Sequence, residues 1–165
     1  MKSKILIIIA NYYFHVAGRL QVSAEHTLNK ESISKVKYKI IKVPGIFEIP
    51  VVISKNIKKY DGFIALGCVI KGETPHFDYI SKTSINAIMK LSVDNKKPIG
   101  MGIITALNIG QAGWRSSEED LDKNISKSSI KGKLIKPNKG REAARAVLSV
   151  LGILKNESKW SSWKS

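Results

Sequence analysis

Four short apolar runs, separated by longer amphipathic stretches, organise the chain. The runs span residues 5–10, 35–43, 63–69 and 98–105. The first run is apolar throughout and mostly β-branched, which is typical of a strand that is covered on both faces in a parallel sheet. Helices are therefore expected on both sides of that sheet.

Apolar side chains recur at helical spacing in the stretches that follow the runs. In residues 15–29, for example, Val16, Leu20 and Ala24 come at every fourth position. The predicted helices are residues 15–29, 47–59, 76–94, 108–115 and 138–154. Strands that alternate with helices predict right-handed crossovers and an α/β fold, a flavodoxin-like three-layer α/β/α sandwich around a four-stranded parallel sheet.

The chain is expected to form one domain over residues 1–158, followed by a tail at 159–165. Residues 116–137 have no sustained period and are rich in polar residues, so they are predicted to be an exposed connection. Ligands of open parallel sheets bind beyond the carboxyl ends of the strands. The segments predicted to meet there are residues 11–13, 44–48, 69–76 and 105–108.

The segment after the third run has the features of an anion site. Thr74 is predicted to be the N-cap of the next helix, with Pro75 at the first helical position, where its missing N–H costs nothing. Free N–H groups at a helix start attract phosphate, and Gly72 lets the backbone approach closely. His76 would stand beside the anion as a proton carrier near neutral pH. The alternative is a capped helix with an incidental surface histidine.

The net charge is +15, from 28 lysines and arginines against 13 aspartates and glutamates, and it favours anionic partners. The basic residues are spread along the chain. The densest tract, residues 123–145, has no aromatic residues of the kind on which single-stranded nucleic acids stack. A solvated basic surface is the favoured interpretation, and no specific nucleic-acid partner is expected.

Cysteine usage and hydropathy indicate a reducing compartment. Cys68 is the single cysteine, so no internal disulfide can form and a cytoplasmic location is expected. The apolar run at 5–10 is too short for a signal peptide. No segment approaches the length of a transmembrane helix, so no membrane partner is expected. His15 and His26 have no partners at ligand spacing, so no metal site is predicted.

Together, the segments at the strand ends resemble lumazine synthase, the family that catalyses the penultimate step of riboflavin biosynthesis. The matching stretches include VPGIFEIP at 43–50, ALGCVIKGETPHFDY at 65–79, and NKGREAA at 138–144. They follow the family's order over nearly the whole chain. The resemblance implies two small-molecule substrates, 5-amino-6-(D-ribitylamino)uracil and 3,4-dihydroxy-2-butanone 4-phosphate. Their condensation releases phosphate and water and uses no metal or organic cofactor.

The resemblance also implies a catalytic residue and a phosphate site. His76 matches the histidine that passes protons while the Schiff base forms, phosphate leaves and the ring closes. Gly72, Glu73 and Thr74 match the phosphate loop. Arg115 matches the arginine that completes it, because a guanidinium fork suits phosphate oxygens.

Other matching positions bind the rest of the substrates. Lys139 matches a lysine near the substrate, and Met101 stands where an aromatic or other apolar residue is usual. The remaining matches are Tyr12, on which the pyrimidine stacks, Ile46 and Glu48, which hold the ribityl chain, and Val69 and Ile70, whose backbone reads the uracil edge.

A few positions depart from the family pattern. Residues 11–13 read Asn-Tyr-Tyr where the family usually has Arg-Phe before Asn or Tyr, so the stacking ring is kept and a local charge is lost. Leu107 and Gly110 stand where an acidic residue is usual, and Cys68 is interpreted as a small strand-end residue and not as a nucleophile. These departures leave open a non-catalytic homologue that binds a flavin or a lumazine.

The resemblance further implies a ring of five subunits with active sites between neighbours, which in some members assembles into icosahedral shells. Those members have a short connection between the last two helices, whereas here residues 116–138 separate Arg115 from Lys139. This lysine-rich stretch is predicted to keep rings apart by its volume and by like-charge repulsion. We expect a homopentamer that assembles no further. Size-exclusion chromatography coupled to light scattering measures its mass. A megadalton shell or a stable monomer would contradict this.

Overall fold

A computed structural model of the protein describes residues 3–34, 36–117 and 138–153. The strands are β1 (Lys4–Ala10), β2 (Lys37–Val43), β3 (Gly62–Ile70) and β4 (Ile99–Ala106). The helices are α1 (Phe14–Glu31), α2 (Ile49–Asn56), α3 (His76–Asn95), α4 (Ile109–Arg115) and α5 (Lys139–Val150). All strand pairings are parallel, in the order β2-β1-β3-β4, which confirms the predicted α/β fold with its four-stranded sheet.

The strands bury apolar side chains on both faces of the sheet. Ile5 and Ile7 of β1 pack against α1 and α5, whereas Leu6 and Ile8 pack against α2 and α3. All four side chains are fully buried. Because successive residues of a strand point to opposite faces, a strand between two helical layers must be apolar at every position, as the sequence of β1 is.

The start of the second helix differs from its prediction. Residues 46–48 form a 3₁₀ turn, and α2 begins only at Ile49. The Glu48 carboxylate accepts a hydrogen bond from the Gly45 N–H at 3.0 Å, which closes this tight turn. At the other end, the Ile57 N–H bonds to the Ser54 carbonyl, so the chain leaves α2 earlier than the apolar period suggests.

Two predicted helix starts are confirmed by their caps. The side-chain oxygen of Asn108 accepts a hydrogen bond from the Gln111 N–H at 2.9 Å. The side-chain oxygen of Asn138 accepts hydrogen bonds from Gly140 at 2.9 Å and Arg141 at 3.2 Å. Each asparagine therefore satisfies N–H groups that the first turn of a helix leaves without a partner.

The ends of the predicted connection lie side by side. Ser116 and Asn138 form an antiparallel bridge, and the Asn138 side-chain amide donates to the Ser117 carbonyl at 2.9 Å. Ser116 is fully buried. The end of α4 and the start of α5 are therefore adjacent. The rest of this connection and the predicted tail lie outside the described residues.

No helix in the described ranges combines the length and the apolar composition that crossing a membrane requires.

Helix α5 approaches β4 on one side and α1 on the other at glycines. A Cβ added to Gly100 would lie 2.1 Å from the carbonyl oxygen of Ala143, and one added to Gly140 would lie 2.1 Å from that of Leu20. Side-chain atoms cannot come so close to a backbone carbonyl. Glycine at these two positions therefore sets how closely α5 packs against the sheet and against α1.

We expect Gly140→Ala to destabilise the protein by about 3 kcal/mol, because α5 must shift away from α1 to make room for the methyl group. Urea unfolding monitored by circular dichroism measures this change in the free energy of unfolding. Gly18→Ala is the matched control, since Gly18 lies within α1 and a Cβ there meets nothing within 4 Å. That control should be neutral or stabilising by about 0.5–1 kcal/mol. Equal losses in both variants would contradict the close-packing argument.

Candidate active site

The carboxyl ends of the strands form one edge of the sheet, here called the carboxyl edge, and hydrogen bonds tie its loops together. The Asn11 N–H, just after β1, donates to the carbonyl of Val43 at the end of β2, at 2.9 Å. The Lys71 N–H, just after β3, donates to the carbonyl of Ala106 at the end of β4, also at 2.9 Å. The segments predicted to converge there are therefore held side by side.

The predicted phosphate loop, Gly72 to Thr74, is exposed at the carboxyl edge. Within the described ranges, no hydrogen bond uses the N–H groups of Gly72, Glu73 or Thr74. A Cβ on Gly72 would meet nothing within 4 Å, and its φ is not positive. The chain itself therefore does not require glycine there, and the three N–H groups are available to an anion approaching from solvent.

Helix α3 begins at residue 76, as predicted, but its N-cap lies one residue later than predicted. The N-cap is Pro75 rather than Thr74, and the Pro75 carbonyl accepts hydrogen bonds from Asp78 at 3.0 Å and Tyr79 at 3.3 Å. Pro75 already has near-helical dihedral angles, so its ring begins the first turn without a side-chain cap. His76 is then the first residue of α3 and is exposed next to the loop.

Strand β3 extends beyond its neighbour β1 at the carboxyl edge. Pairing between them ends at Leu66, whereas pairing with β4 continues to Ile70. Within the described part of the sheet, residues 67–70 therefore have no partner strand on the β1 side. Val69 and Ile70 are half-buried there, and their backbone can offer hydrogen bonds to the edge of a planar heterocycle.

The 3₁₀ turn after β2 brings two further predicted residues to this edge. The Ile46 side chain is buried against β3, close to Gly67, so its backbone and not its side chain is available to a ligand. Glu48 is half-buried, and one of its oxygens accepts the Gly45 N–H. The other carboxylate oxygen remains an acceptor for a hydroxyl group.

Tyr12 presents its ring to solvent after β1. The side chain is 75% exposed and makes an edge-to-face contact with Tyr13, with ring centroids 5.0 Å apart. Tyr13 is half-buried, and burial raises the pKa of its hydroxyl, with smaller contributions from Tyr12 and Cys68. Tyr13 is therefore a neutral phenol that packs edge-to-face against Tyr12. This contact leaves ring surface of Tyr12 exposed for stacking.

The structure does not bring three predicted residues to this group within one chain. Met101 is in the amino-terminal half of edge strand β4, about 16 Å along the strand from Ala106, and is 42% exposed. Arg115 ends α4, which packs on the α1 and α5 face of the sheet through Ala112. The phosphate loop leads instead into α3 on the opposite face.

Arg115 and Lys139 are neighbours through the bridge between Ser116 and Asn138. The Arg115 guanidinium donates to its own helix, at the Gln111 carbonyl, at 3.3 Å. Lys139 Nζ pairs with the Glu142 carboxylate at 2.5 Å. We call Met101, Arg115 and Lys139 the flank group, and the residues at the carboxyl edge the edge group. The sequence analysis expected active sites between neighbours but did not separate these three residues from the edge group, although the position of Met101 early in its strand was a sign of the division.

Nothing in the described part of the chain suggests metal or thiol chemistry. Those residues contain no group of three or more His, Cys, Asp or Glu side chains that could hold a metal ion. Cys68 is buried in β3, and burial raises its pKa from 9.0 to about 11. A thiol with that pKa is protonated at neutral pH and is a poor nucleophile.

Comparison with known proteins identifies relatives along the whole chain. The profile of a family described as 6,7-dimethyl-8-ribityllumazine synthase matches residues 2–155. The chain is similar to proteins of that name from three bacteria. It is 36% identical to the one from Bartonella tribocorum (93% of this chain, 91% of the relative) and 37% identical to the one from Agrobacterium fabrum (93% and 96%). It is 39% identical to the one from Blochmanniella pennsylvanica (93% and 89%).

The raised pKa of Cys68 makes a prediction about its reactivity. At pH 8 we expect iodoacetamide to alkylate the folded protein at least about a hundredfold more slowly than the urea-unfolded protein, because the thiolate fraction falls about tenfold per pKa unit. The raised pKa also contributes to the free energy of unfolding. This contribution is fully present below about pH 9 and is lost as the pH rises toward 11. Mass spectrometry over time gives both rates. Fast labelling of the folded chain would identify an activated thiol and contradict the structural role.

Proposed function

The chain belongs to the 6,7-dimethyl-8-ribityllumazine synthase family, and we propose that its edge group and the flank group of a neighbouring subunit form one active site. The enzyme condenses 5-amino-6-(D-ribitylamino)uracil with 3,4-dihydroxy-2-butanone 4-phosphate and releases phosphate and water, a step of riboflavin biosynthesis. Similarity over nearly the full length of each relative favours this activity over a non-catalytic lumazine-binding homologue.

The edge group suits the uracil substrate. Tyr12 offers an exposed ring for stacking, and the unpaired side of β3 at Val69 and Ile70 offers backbone groups to the uracil edge. Glu48, fixed by its hydrogen bond to Gly45, accepts hydrogen bonds from the ribityl hydroxyls. These contacts hold the amine of the uracil substrate over the start of α3, where the second substrate binds.

The phosphate of the second substrate binds to the loop from Gly72 to Thr74. Three N–H groups without partners and the start of the long helix α3 support this position. His76, two residues after the loop, passes protons as water and then phosphate leave. Because the reactants are held close together and oriented, positioning supplies most of the rate enhancement.

The observation that carries the shared site is the separation of the flank group from the phosphate loop. Arg115 lies on a helix that packs on one face of the sheet and the loop leads into a helix on the other face, and within the described ranges no hydrogen bond or ion pair joins them. Met101 is exposed on an edge strand, too far down the strand to reach its own edge group. A neighbour packed in a closed ring supplies these residues, so we infer a homopentamer with sites between subunits.

The buried, protonated Cys68 fits a protein of the reducing cytoplasm, where we infer that the reaction takes place.

Mixed rings test the shared site. His76→Ala should slow lumazine formation without abolishing it, and Arg115→Ala should chiefly raise the KM for the phosphorylated substrate. If His76 and Arg115 of one site come from different subunits, refolding the two variants together at equal amounts restores about a quarter of the sites to the wild-type set. The measurement is the rate of lumazine absorbance at low concentrations of the phosphorylated substrate.

Each variant refolded alone is the control, and it must give rings of the same size. No gain of activity in mixed rings would show that one chain supplies both residues. Wild-type protein that is folded and yet forms lumazine no faster than the uncatalysed background would overturn the enzymatic function itself.

A further inference from the structure

Lysines line the edge of the sheet opposite the candidate active site, here called the amino edge. They are Lys4, Lys37, Lys58, Lys59, Lys96 and Lys97. Each lies at the start of a strand or in the few residues before one, and all are exposed except Lys97, which is half-buried. The amino end of every strand in the sheet therefore has at least one lysine beside it.

Strand register places these lysines in one row. Lys4 and Lys37 are paired residues on neighbouring strands. The Asp61 N–H, just before β3, donates to the Lys4 carbonyl at 2.8 Å, and the Lys97 ammonium donates to the Tyr60 carbonyl. Four strands span about 15 Å, so the lysines form a continuous basic band across the amino edge.

The carboxylates near this edge compensate little of its charge. Asp94 pairs with Lys90 at 2.7 Å, and Glu31 makes a two-point ion pair with Arg145 at 2.6 and 2.7 Å. Asp61, which accepts the backbone N–H of Lys4 at 2.7 Å, lies within the row itself. The band thus keeps most of its positive charge.

Exposed aliphatic side chains lie beside the basic band. Helices α1, α3 and α5 run antiparallel to the strands and end at the amino edge, each with an exposed aliphatic residue in or just after its last turn. These residues are Ile33 after α1 (64% exposed), Val93 in α3 (66%) and Val150 in α5 (72%). An open groove of about 390 Å³ runs between α3 and α5 and is lined by Lys96, Lys97 and Val150, among others.

We propose that the amino edge is a docking surface for membranes rich in anionic phospholipids. Lysines attract the headgroups, and aliphatic side chains at the same level enter the interface, a combination typical of peripheral membrane binding. Nucleic acid would use the lysines but would gain nothing from exposed aliphatic residues. The sequence predicted no membrane partner because it has no spanning segment. Only the fold assembles this surface, and the proposal does not depend on the reaction.

Co-sedimentation of the full chain with vesicles tests the proposal. We expect binding to vesicles of equal parts phosphatidylcholine and phosphatidylglycerol, weakening with salt, and no binding to phosphatidylcholine alone. Each lysine contributes about fivefold to partitioning onto the vesicles, so replacing Lys58 and Lys59 by Gln should weaken this partitioning about twentyfold. Val150→Ser should weaken it about threefold without changing the charge.

The matched control replaces Lys42 and Lys82 by Gln, which removes the same charge from exposed positions away from the amino edge. Its partitioning should stay within about twofold of the wild type. Equal losses in both double variants would show that net charge alone drives binding, and would overturn a defined surface. Binding to duplex RNA that depends on Lys58 and Lys59, without vesicle binding, would identify a nucleic-acid surface instead. Unchanged vesicle partitioning of the Val150→Ser variant would show that aliphatic side chains do not enter the membrane interface, and would overturn that part of the proposal.

Discussion

The close approach of α5 to the sheet is the constraint on which the rest of the molecule depends. Gly100 and Gly140 bring the backbone of α5 into contact with β4 and α1, and no residue with a side chain fits at either position. The same packing places the start of α5 beside the end of α4, where Ser116 pairs with Asn138. Arg115 and Lys139, far apart in sequence, thereby become neighbours. A change that disturbs the packing at either glycine would therefore displace both Arg115 and Lys139.

The parallel sheet gives the molecule two chemically different edges. At the carboxyl edge, loops tied by backbone hydrogen bonds carry exposed N–H groups, the exposed Tyr12 ring and His76. At the amino edge, the strand starts and helix ends collect lysines and exposed aliphatic side chains. Every crossover returns the chain from the carboxyl edge to the amino edge. Residues that follow a strand therefore gather at the carboxyl edge, and residues that precede a strand gather at the amino edge.

The architecture also supports the proposal that the active site is shared between two subunits. A strand at the edge of a sheet offers side chains and backbone to a neighbour, and β4 is such a strand in the described sheet. Met101 on β4 faces outward in its amino-terminal half, and the phosphate loop lies at its far end on the adjacent strand. In the proposed site a second copy of the chain supplies this wall, so the proposal ties association of subunits to catalysis.

The sequence alone determined the order of strands and helices, the helix starts near Asn108 and Asn138, the buried character of β1 and the loop that precedes His76. These features follow from local rules: periodicity, cap chemistry and the position of loops after parallel strands. The start of α2 and the N-cap of α3 were placed imprecisely, because single hydrogen bonds decide them. Tertiary structure alone decided the unpaired end of β3, the separation of Met101 from the edge group and the lysine row. Each of these depends on strand register and on packing distance, which arise between segments that are remote in sequence and leave no periodic trace in it.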